Sequence, residues 1–322
     1  MIKADIFCIP LQEKVLKGRK ANSFSPIKDS GESLLDGDIV YRNDLCYGNT
    51  YPNSFFDIWY PSRKQKPKET TVVFFHGGGF LFGDKVGGDP LAKGEDSSAA
   101  ILKGLAENGY QVVSADYALA PEYRFPEQIR QANELLDFLL LHGQEYGLNM
   151  NRLVLMGSSA GANIVEILGT ILTSQDYAQK LNITVAPGLK ERICGIVVDE
   201  SALDLTGMDQ NMELLAGVWL GVEPVQGSVQ TELMNAPIWI KEGYPQTFVT
   251  SSNVEPIFHI NAIRLFEKCS QVGTPCTIFD ANEYKEPLNH GFLTLYQSNP
   301  AAGECFRMLL DFLGEISEGY LK

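Results

Sequence analysis

The sequence contains two short glycine-rich motifs about eighty residues apart, and each directly follows an apolar run typical of a buried strand. Residues 157–161 read Gly-Ser-Ser-Ala-Gly, and residues 76–80 read His-Gly-Gly-Gly-Phe. A Gly-x-Ser-x-Gly turn between a strand and a helix is a nucleophile elbow, which holds its serine in a strained conformation. A run of glycines exposes backbone N–H groups that can approach a developing oxyanion. Together the motifs predict acyl transfer through Ser159.

The general base is expected to be a histidine that follows this serine, because the order in α/β-hydrolases is serine, acid, histidine. The chain has four histidines. His76 and His142 precede the serine, and His259 lies before the last predicted strand. His290 follows that strand by about ten residues and is itself followed by a glycine. His290 is therefore the predicted base.

Two positions compete for the acid of the triad, and we favour Glu255. It lies just after a predicted strand at residues 247–251 and 35 residues before the predicted base. The carboxyl ends of strands are where such folds keep their site residues. A structural role, as a negative charge at a helix N-terminus, is the competing interpretation. The pair Asp199 and Glu200, after the preceding strand, is the second candidate, whereas Asp280 lies too close to the histidine.

These residues are positioned by strands and helices that alternate along most of the chain. Continuous apolar runs predict the strands, and helical periodicity predicts the helices between them. The predicted strands are residues 39–46, 55–60, 71–75, 111–115, 151–156, 193–198, 247–251 and 276–280, and the predicted helices are 97–107, 126–142, 160–172, 260–271 and 305–313. This alternation indicates an α/β fold with a mostly parallel central sheet and helices on both faces. The nucleophile elbow between a strand and a helix is typical of the α/β-hydrolase fold.

Two segments depart from the alternation. We interpret residues 1–38 as an irregular N-terminal segment that packs over the domain and contributes to a cap. Residues 204–241 are rich in Met, Leu and Trp and contain no clean strand. Their length fits an insertion above the strand ends, which either buries itself against the body or also forms a wall of the acyl pocket. The predicted organisation is one α/β-hydrolase domain over residues 39–322 with a helical cap.

The composition limits the classes of partner. The chain has 322 residues, 26 basic and 40 acidic, and a formal net charge of −14. This charge disfavours nucleic acid and anionic membranes and suggests a neutral small-molecule substrate. Six scattered cysteines and four histidines show no zinc-ligand spacing, so neither a metal nor another cofactor is predicted. With no apolar run near the roughly 20 residues of a membrane span and no secretory h-region, we expect a cytoplasmic monomer or homodimer.

Four motifs together resemble the hormone-sensitive-lipase-like branch of the α/β-hydrolase carboxylesterases. They are the glycine motif at residues 76–80, the Ala-Pro-Glu segment at 114–126, the elbow at 157–161 and His-Gly-Phe at 290–292. The resemblance covers about residue 39 to the C-terminus. It implies carboxylesterase activity, with oxyanion donors at Gly78, Gly79 and Ala160.

The resemblance also implies a position for the acid, and it shows three departures. The acid of the family lies in an Asp-Pro-Leu string after a strand, and Glu255-Pro256-Ile257 falls at that position, so glutamate replaces the usual aspartate. Ser158 stands where the family often has an acidic residue before the nucleophile. The loop at residues 84–96 is longer than usual and is expected to border the entrance, which leaves the range of substrates open.

The predicted reaction begins when Ser159 Oγ attacks an ester carbonyl while His290 takes its proton and Glu255 holds the imidazole ring. The three oxyanion donors and the N-terminus of the helix at residues 160–172 stabilise the oxyanion. Water then releases the acyl group by the same steps. We expect a preference for neutral esters with short acyl groups, because no extended apolar lid is evident.

The candidate substrate-binding residues are Phe80, Ser158 and Trp219. Tryptophans such as Trp219 and Trp239 more often pack than stack on a ligand, so packing is the competing interpretation. Two other functions stay open: an arylformamidase-like amide hydrolase with the same triad, and a small-molecule receptor without activity. Receptors of this kind lose the serine or the histidine, and both are present here, which disfavours the receptor.

Overall fold

The computed structural model describes residues 1–90 and 98–319, and its centre is a nine-stranded sheet in the order β1-β2-β3-β5-β4-β6-β7-β8-β9. β1 pairs antiparallel with β2, β2 with β3, and β3 with β5, and the other neighbouring strands pair in parallel. The strands are β1 (Gly31–Leu35), β2 (Ile39–Cys46), β3 (Phe55–Tyr60), β4 (Thr71–Phe75), β5 (Gln111–Ala115), β6 (Leu153–Ser158), β7 (Ile193–Asp199), β8 (Gln246–Thr250) and β9 (Cys276–Phe279). The predicted α/β fold with a mostly parallel sheet is confirmed.

Helices cover both faces of this sheet. They are α1 (Lys3–Val15), α2 (Ser98–Glu107), α3 (Glu127–His142), α4 (Ala160–Ile171), α5 (Gln175–Lys180), α6 (Gln210–Leu220), α7 (Val229–Met234), α8 (Pro256–Gln271) and α9 (Pro300–Glu318). Apolar side chains of α3, α4 and α8 share one core with the sheet, and those of α2 and α9 share a second core. Every residue of β4, β5 and β6 is buried, which is why apolar side chains occupy most positions of these strands.

Two helices are longer than the sequence indicated, and residue 97 of a third predicted helix lies outside the described residues. α9 was expected at residues 305–313 but begins at Pro300, where the side chain of Asn299 accepts a hydrogen bond from the N–H of Ala302. α8 was expected to begin at residue 260 but begins at Pro256. In both helices proline occupies the first position, where its fixed φ is favourable and its missing N–H costs nothing.

The N-terminal residues form α1 and the edge strand β1, so the segment expected to be irregular contains two regular elements. α1 packs on α6 of the insertion through an apolar cluster that includes Cys8 and Val218. Gln12 Nε2 donates to the carbonyl oxygens of Leu81, at 2.6 Å, and Ala120, at 2.9 Å. These contacts fix α1 beside the glycine-rich loop that follows β4.

Candidate active site

The candidate nucleophile lies on the turn between β6 and α4. Ser159 has φ +55° and ψ −116°, a conformation that an L-residue keeps only when the surrounding structure enforces it. Its N–H donates to the carbonyl oxygen of Asp199 at 2.8 Å. A Cβ on Gly157 would overlap the carbonyl of Gly161, and a Cβ on Gly161 would overlap the carbonyl of Phe75 on β4. The motif needs both glycines because the elbow backbone crosses the neighbouring backbone at contact distance.

The three predicted oxyanion donors lie around the cavity that contains the serine. Gly78, Gly79 and Ala160 all line this cavity together with Ser159. The two glycines have φ values of +111° and +58°, which glycine adopts at little cost. Ala160 is the first residue of α4, so its N–H belongs to the helix-terminal groups that have no partner within the helix. The structure therefore brings the predicted donors together beside the serine.

A buried ionic cluster anchors the chain that follows the glycine loop. Nζ of Lys85, which is only 2% exposed, lies 3.0 Å from Asp44 Oδ1 and 3.4 Å from Asp116 Oδ2. The backbone N–H of Lys85 also donates to Asp116 Oδ1 at 2.6 Å. His76 stacks on Tyr117 with ring centroids 4.2 Å apart, and the Tyr117 hydroxyl donates to the His76 carbonyl. These contacts hold both ends of the loop and use His76 as a packing residue.

The candidate base lies between two carboxylates. His290 Nδ1 is 2.9 Å from Glu200 Oε2, and His290 Nε2 is 3.5 Å from Asp89 Oδ2. Phe258 of α8 stacks on the imidazole ring at a centroid distance of 4.2 Å. Burial would lower the pKa of His290, but the charges of Glu200 and Asp89 outweigh it and raise the pKa well above its ordinary value. The imidazole lines the same cavity as Ser159.

The carboxylate at the ring belongs to Glu200, the second candidate, and not to Glu255, which the sequence favoured. Glu200 directly follows β7, is fully buried and has φ +61°. Its Oε2 also accepts a hydrogen bond from the N–H of Gly291 at 2.6 Å. An L-residue with positive φ at such a position indicates that the structure enforces its direction. No sequence signal marks this conformation, because Glu200 is not one of the residue types that favour it.

Glu255 holds the backbone of the histidine loop. Its Oε2 accepts a hydrogen bond from the backbone N–H of His290 at 3.0 Å. The hydroxyl of Ser252 lies 2.7 Å from the same oxygen and 2.9 Å from the carbonyl oxygen of Leu288. Both candidate carboxylates therefore reach the histidine loop, one at the ring and one at the main chain. Spacing along the chain could not separate them, because both follow strands that end at the same edge of the sheet.

Ser158, the candidate substrate-binding residue on the elbow, interacts with the neighbouring strand of the sheet. Ser158 pairs with Asp199 of the neighbouring strand, and its side chain interacts with that carboxyl group. The Thr250 hydroxyl donates to Asp199 Oδ1 at 2.6 Å. Burial, and then the nearby charge of Glu200, raise the pKa of Asp199 to about 6. Ser158 is absent from the described cavity lining, so its expected contact with substrate is not what the geometry favours.

The cavity beside the serine has a volume of about 510 Å³ and a mostly apolar lining. α1, the insertion and α8 contribute Leu11, Met212, Leu214, Leu215 and Ile257, among others. Phe80 and Trp219 also line it, and their rings stack with centroids 3.8 Å apart. Trp219 Nε1 donates to Gln128 Oε1 at 3.0 Å. Both aromatic residues thus pack firmly and also form part of the wall.

The remaining histidines take part in surface contacts. His142 Nδ1 lies 2.9 Å from Glu145 Oε1, and His259 Nδ1 lies 3.4 Å from Asp280 Oδ1.

Among residues 1–90 and 98–319, no group of three or more His, Cys, Asp and Glu side chains is arranged to hold a metal ion. Within these same ranges, no helix is both long and apolar enough to cross a bilayer.

Comparison with known sequences finds a family model and several esterases. The BD-FAE family model matches residues 56–268. Esterase LipI of Mycobacterium tuberculosis is 24% identical over 263 residues, which cover 76% of this chain and 72% of that protein. Arylacetamide deacetylase-like 2 of Homo sapiens is 29% identical over 173 residues, which cover 47% of this chain and 40% of that protein. An acetyl esterase of Salmonella agona is 31% identical over 99 residues, or 30% of this chain and 28% of that protein.

The fold of this chain is similar to that of solved structures over nearly its whole length. Esterase B from Lactobacillus rhamnosis superposes with a TM-score of 0.72 and 17% identity, covering 99% of this chain and 95% of that one. The carboxylesterase EstE1, from a metagenomic library, gives a TM-score of 0.63 and 17% identity, covering 99% and 98%. The predicted α/β-hydrolase fold is confirmed by these structures, and the predicted resemblance to carboxylesterases is confirmed by the sequence relatives.

Proposed function

The chain belongs to the BD-FAE family, and on that premise we propose that it is a serine carboxylesterase for neutral esters with short acyl groups. The observation that carries the proposal is the position of the His290 imidazole. It lines one cavity with Ser159 and with the predicted oxyanion donors, and it has a buried carboxylate at Nδ1. A nucleophile, a base, an orienting acid and backbone donors are the parts that acyl transfer requires.

Acylation begins with attack of Ser159 Oγ on the ester carbonyl carbon, while His290 Nε2 accepts the hydroxyl proton. The oxyanion receives hydrogen bonds from the N–H groups of Gly78, Gly79 and Ala160. Each preorganised donor of this kind stabilises the transition state by about 3 kcal/mol. The imidazolium then gives its proton to the leaving alcohol, and water repeats the sequence to release the carboxylic acid and free the serine.

Glu200 is the acid in this proposal. Its Oε2 lies 2.9 Å from Nδ1 of the ring and is buried, so it can fix the tautomer with the proton on Nδ1 and stabilise the imidazolium. Its strand, β7, is parallel to the nucleophile strand β6, and Ser158 pairs with Asp199. The residues that follow these two strands are therefore neighbours. Glu255 is a positioning residue in this proposal, because it accepts a hydrogen bond from the backbone N–H of His290 and so holds the loop that carries the imidazole.

The cavity supports the preference for short, neutral acyl groups. Its apolar lining excludes charged acyl chains, because an unpaired charge is costly to bury. Leu215 lies in contact range of the oxyanion loop, 3.5 Å from the point where a Cβ on Gly79 would be. This side chain closes one wall near the serine. The acetyl esterases among the relatives support the same substrate class.

Replacement of the nucleophile is the first test. Ser159→Ala should reduce kcat on p-nitrophenyl acetate by about 10⁵-fold or more, since the attacking hydroxyl is lost. The same change should abolish labelling by a fluorophosphonate probe, measured by intact mass. Ser270→Ala, an exposed serine on α8, is the matched control and should keep both signals. Full ester hydrolysis by the Ser159→Ala protein would refute the assignment.

A substrate series tests the remaining parts of the proposal. Among p-nitrophenyl esters of increasing acyl length, kcat/KM should be highest for the shortest chains and fall as the acyl group outgrows the cavity. An aryl formamide offered beside an aryl acetate separates ester from amide hydrolysis. A faster reaction with the formamide would favour the arylformamidase-like alternative.

A further inference from the structure

The carboxylate that faces the imidazole belongs to a short segment, residues 199–202, which we call the acid turn. β7 ends at Asp199 and the next helix, α6, begins at Gln210, so the rest of the acid turn lies outside any strand or helix. All four of its residues are nevertheless buried. Buried backbone groups in such a segment need side-chain partners, because no helix or sheet supplies their hydrogen bonds. The position of Glu200 therefore depends on what holds the acid turn.

The elbow and β8 hold the beginning of the acid turn. The carbonyl oxygen of Asp199 accepts a hydrogen bond from the N–H of Ser159 at 2.8 Å, and its Oδ1 accepts one from the Thr250 hydroxyl at 2.6 Å. Both contacts precede Glu200 along the chain. They fix the point where the acid turn leaves the sheet, but not the path of the chain after the carboxylate.

Asn163 holds the other end of the acid turn. It lies on α4, one helical turn after the nucleophile, and its N–H donates to the carbonyl oxygen of Ser159 at 3.1 Å. Its Oδ1 accepts a hydrogen bond from the N–H of Ala202 at 2.7 Å. Asn163 is only 6% exposed, so this contact is shielded from water. The elbow and its helix therefore contact the acid turn on both sides of Glu200.

The residue between Glu200 and Ala202 does not duplicate this contact. Ser201 lies close to Glu166 of α4, and its hydroxyl lowers the pKa of a carboxyl group that burial raises to about 7. The Ser201 hydroxyl nevertheless has no hydrogen-bond partner within residues 1–90 and 98–319. Asn163 is thus the residue of α4 whose side chain holds this end of the acid turn by a hydrogen bond.

A displacement of Ala202 would reach the imidazole by two routes. Ala202 is two residues from Glu200, whose φ of +61° persists only where the surrounding structure enforces it. Ala202 also packs in one apolar cluster with Phe258, whose ring stacks on the imidazole of His290. Without an acceptor, the buried N–H of Ala202 would move to find another partner, because an unpaired buried donor is costly. The edge and the face of the imidazole would then both lose support.

We propose that Asn163 is a positioning residue for the general base: by accepting the hydrogen bond from Ala202, it directs the carboxylate of Glu200 to Nδ1 of His290. The inference deepens the proposed function, and it rests on that function and on Glu200 as the acid. Asn163 also lines the cavity, so direct contact with substrate is the alternative that the experiments separate from this role.

The first test removes the acceptor and nearly keeps the shape. In Asn163→Leu, kcat on p-nitrophenyl acetate should fall by about 10- to 100-fold, the effect of a small misplacement of a catalytic group, with KM little changed. The matched control is Asn261→Leu, because Asn261 Oδ1 accepts the N–H of Asp204 at 2.7 Å, two residues beyond the acid turn. This variant loses an equivalent buried hydrogen bond, and its kcat should remain near that of the wild type.

The pH profile is a readout that a loss of stability alone would not move. Glu200 and Asp89 face the two nitrogens of the imidazole and favour its protonated form, and Asp199 beside them is also acidic. In Asn163→Leu only the contact with Glu200 is weakened, which lowers the pKa of the imidazole. The acidic limb of kcat/KM should therefore move to lower pH, by about half a pH unit or more.

Two further variants at the same position complete this test. Asn163→Asp keeps an oxygen in the place of Oδ1, so it should retain the hydrogen bond from Ala202 and most of kcat. Since any added charge is negative and favours the imidazolium, its acidic limb should not move to lower pH. Asn163→Ala removes the acceptor without adding apolar bulk. It should reproduce the shift of the acidic limb and keeps the test valid if the leucine variant does not fold.

A double-mutant cycle tests whether the effect of Asn163 acts through Glu200. In the Glu200→Gln background the carboxylate that Asn163 positions is already lost, so adding Asn163→Leu should lower kcat by less than about threefold. A further loss as large as in the wild-type background would show that Asn163 acts by another route, and would overturn the proposal.

Three other results would also overturn it: an unchanged kcat in the variants that lack the acceptor, a raised KM with unchanged kcat, which indicates substrate contact, or an acidic limb that does not move. Failure of the esterase proposal looks different, because the wild-type enzyme would then neither hydrolyse p-nitrophenyl acetate nor be labelled by fluorophosphonate at Ser159. If Glu200 is not the acid, the single variant Glu200→Gln shows it by keeping its activity.

Discussion

In the elbow half of the site, backbone atoms set the geometry, whereas in the histidine half side chains from distant segments do. Gly157 and Gly161 leave no room for one further carbon atom, because the nearest atoms are carbonyls of the elbow and of β4. Around His290, by contrast, Glu200 holds the ring and Glu255 holds the main chain. These two residues come from the ends of two different strands.

This difference between the two halves indicates which residues of such a site can be supplied by different positions in the sequence. The predicted donors and the strained serine lie on two short segments, the elbow and the loop after β4, whose backbone conformations constrain their residue types. A carboxylate needs only to reach Nδ1 of the imidazole, and the ends of neighbouring parallel strands offer more than one place for it. Here the structure uses the strand next to the nucleophile strand and leaves the other carboxylate to fix the loop.

The largest effect is expected from adding one methyl group to the elbow. Gly161→Ala places a Cβ against the carbonyl of Phe75, and backbone cannot give way as a flexible side chain can. We expect the free energy of unfolding to decrease by about 3 kcal/mol. We also expect almost complete loss of ester hydrolysis. Thermal denaturation and fluorophosphonate labelling measure the two effects. Gly314→Ala on α9, where no atom lies within 4 Å of the added Cβ, should be harmless.

A smaller but still large effect is expected at the carboxylate beside the ring. Glu200→Gln keeps an oxygen for the N–H of Gly291 but removes the charge that stabilises the imidazolium. A comparable loss of the triad acid in serine proteases costs about 10⁴-fold in kcat, and we expect about 10³-fold or more here. Steady-state kinetics with p-nitrophenyl acetate would show this in kcat, with KM little changed. Activity near that of the wild type would show that Glu200 is not the acid.

The smallest effect is expected at the carboxylate on the main chain. In Glu255→Gln the amide oxygen can still accept hydrogen bonds from the backbone N–H of His290 and from the Ser252 hydroxyl, so these contacts persist but lose the strengthening that the carboxylate charge gives them. We expect a tenfold or smaller decrease in kcat/KM and about 1 kcal/mol less stability. The comparison with Glu200→Gln is decisive. If Glu255→Gln is the more damaging change, the acid is the residue that the sequence favoured.

The fold and the elbow could be predicted because their signals are local. The buried strands β4, β5 and β6 consist mostly of apolar residues, and each of the two glycine motifs can be recognised within five consecutive residues. The helix boundaries were less accurate at α8 and α9, where proline-initiated turns extend the helices beyond their apolar pattern. The edge strand β1 is exposed along most of its length, so it carries little hydrophobic signal.

The amino-acid sequence by itself was enough to predict the candidate nucleophile, the candidate base and the candidate oxyanion loop, since each is marked by residue types at short spacing and by chain order. Only the tertiary structure decided which carboxylate faces the imidazole and that Asp89 stands at its other nitrogen. The reason is geometric: these contacts join the ends of separate strands, and the direction of each side chain depends on backbone angles, such as φ +61° at Glu200, that the sequence does not reveal.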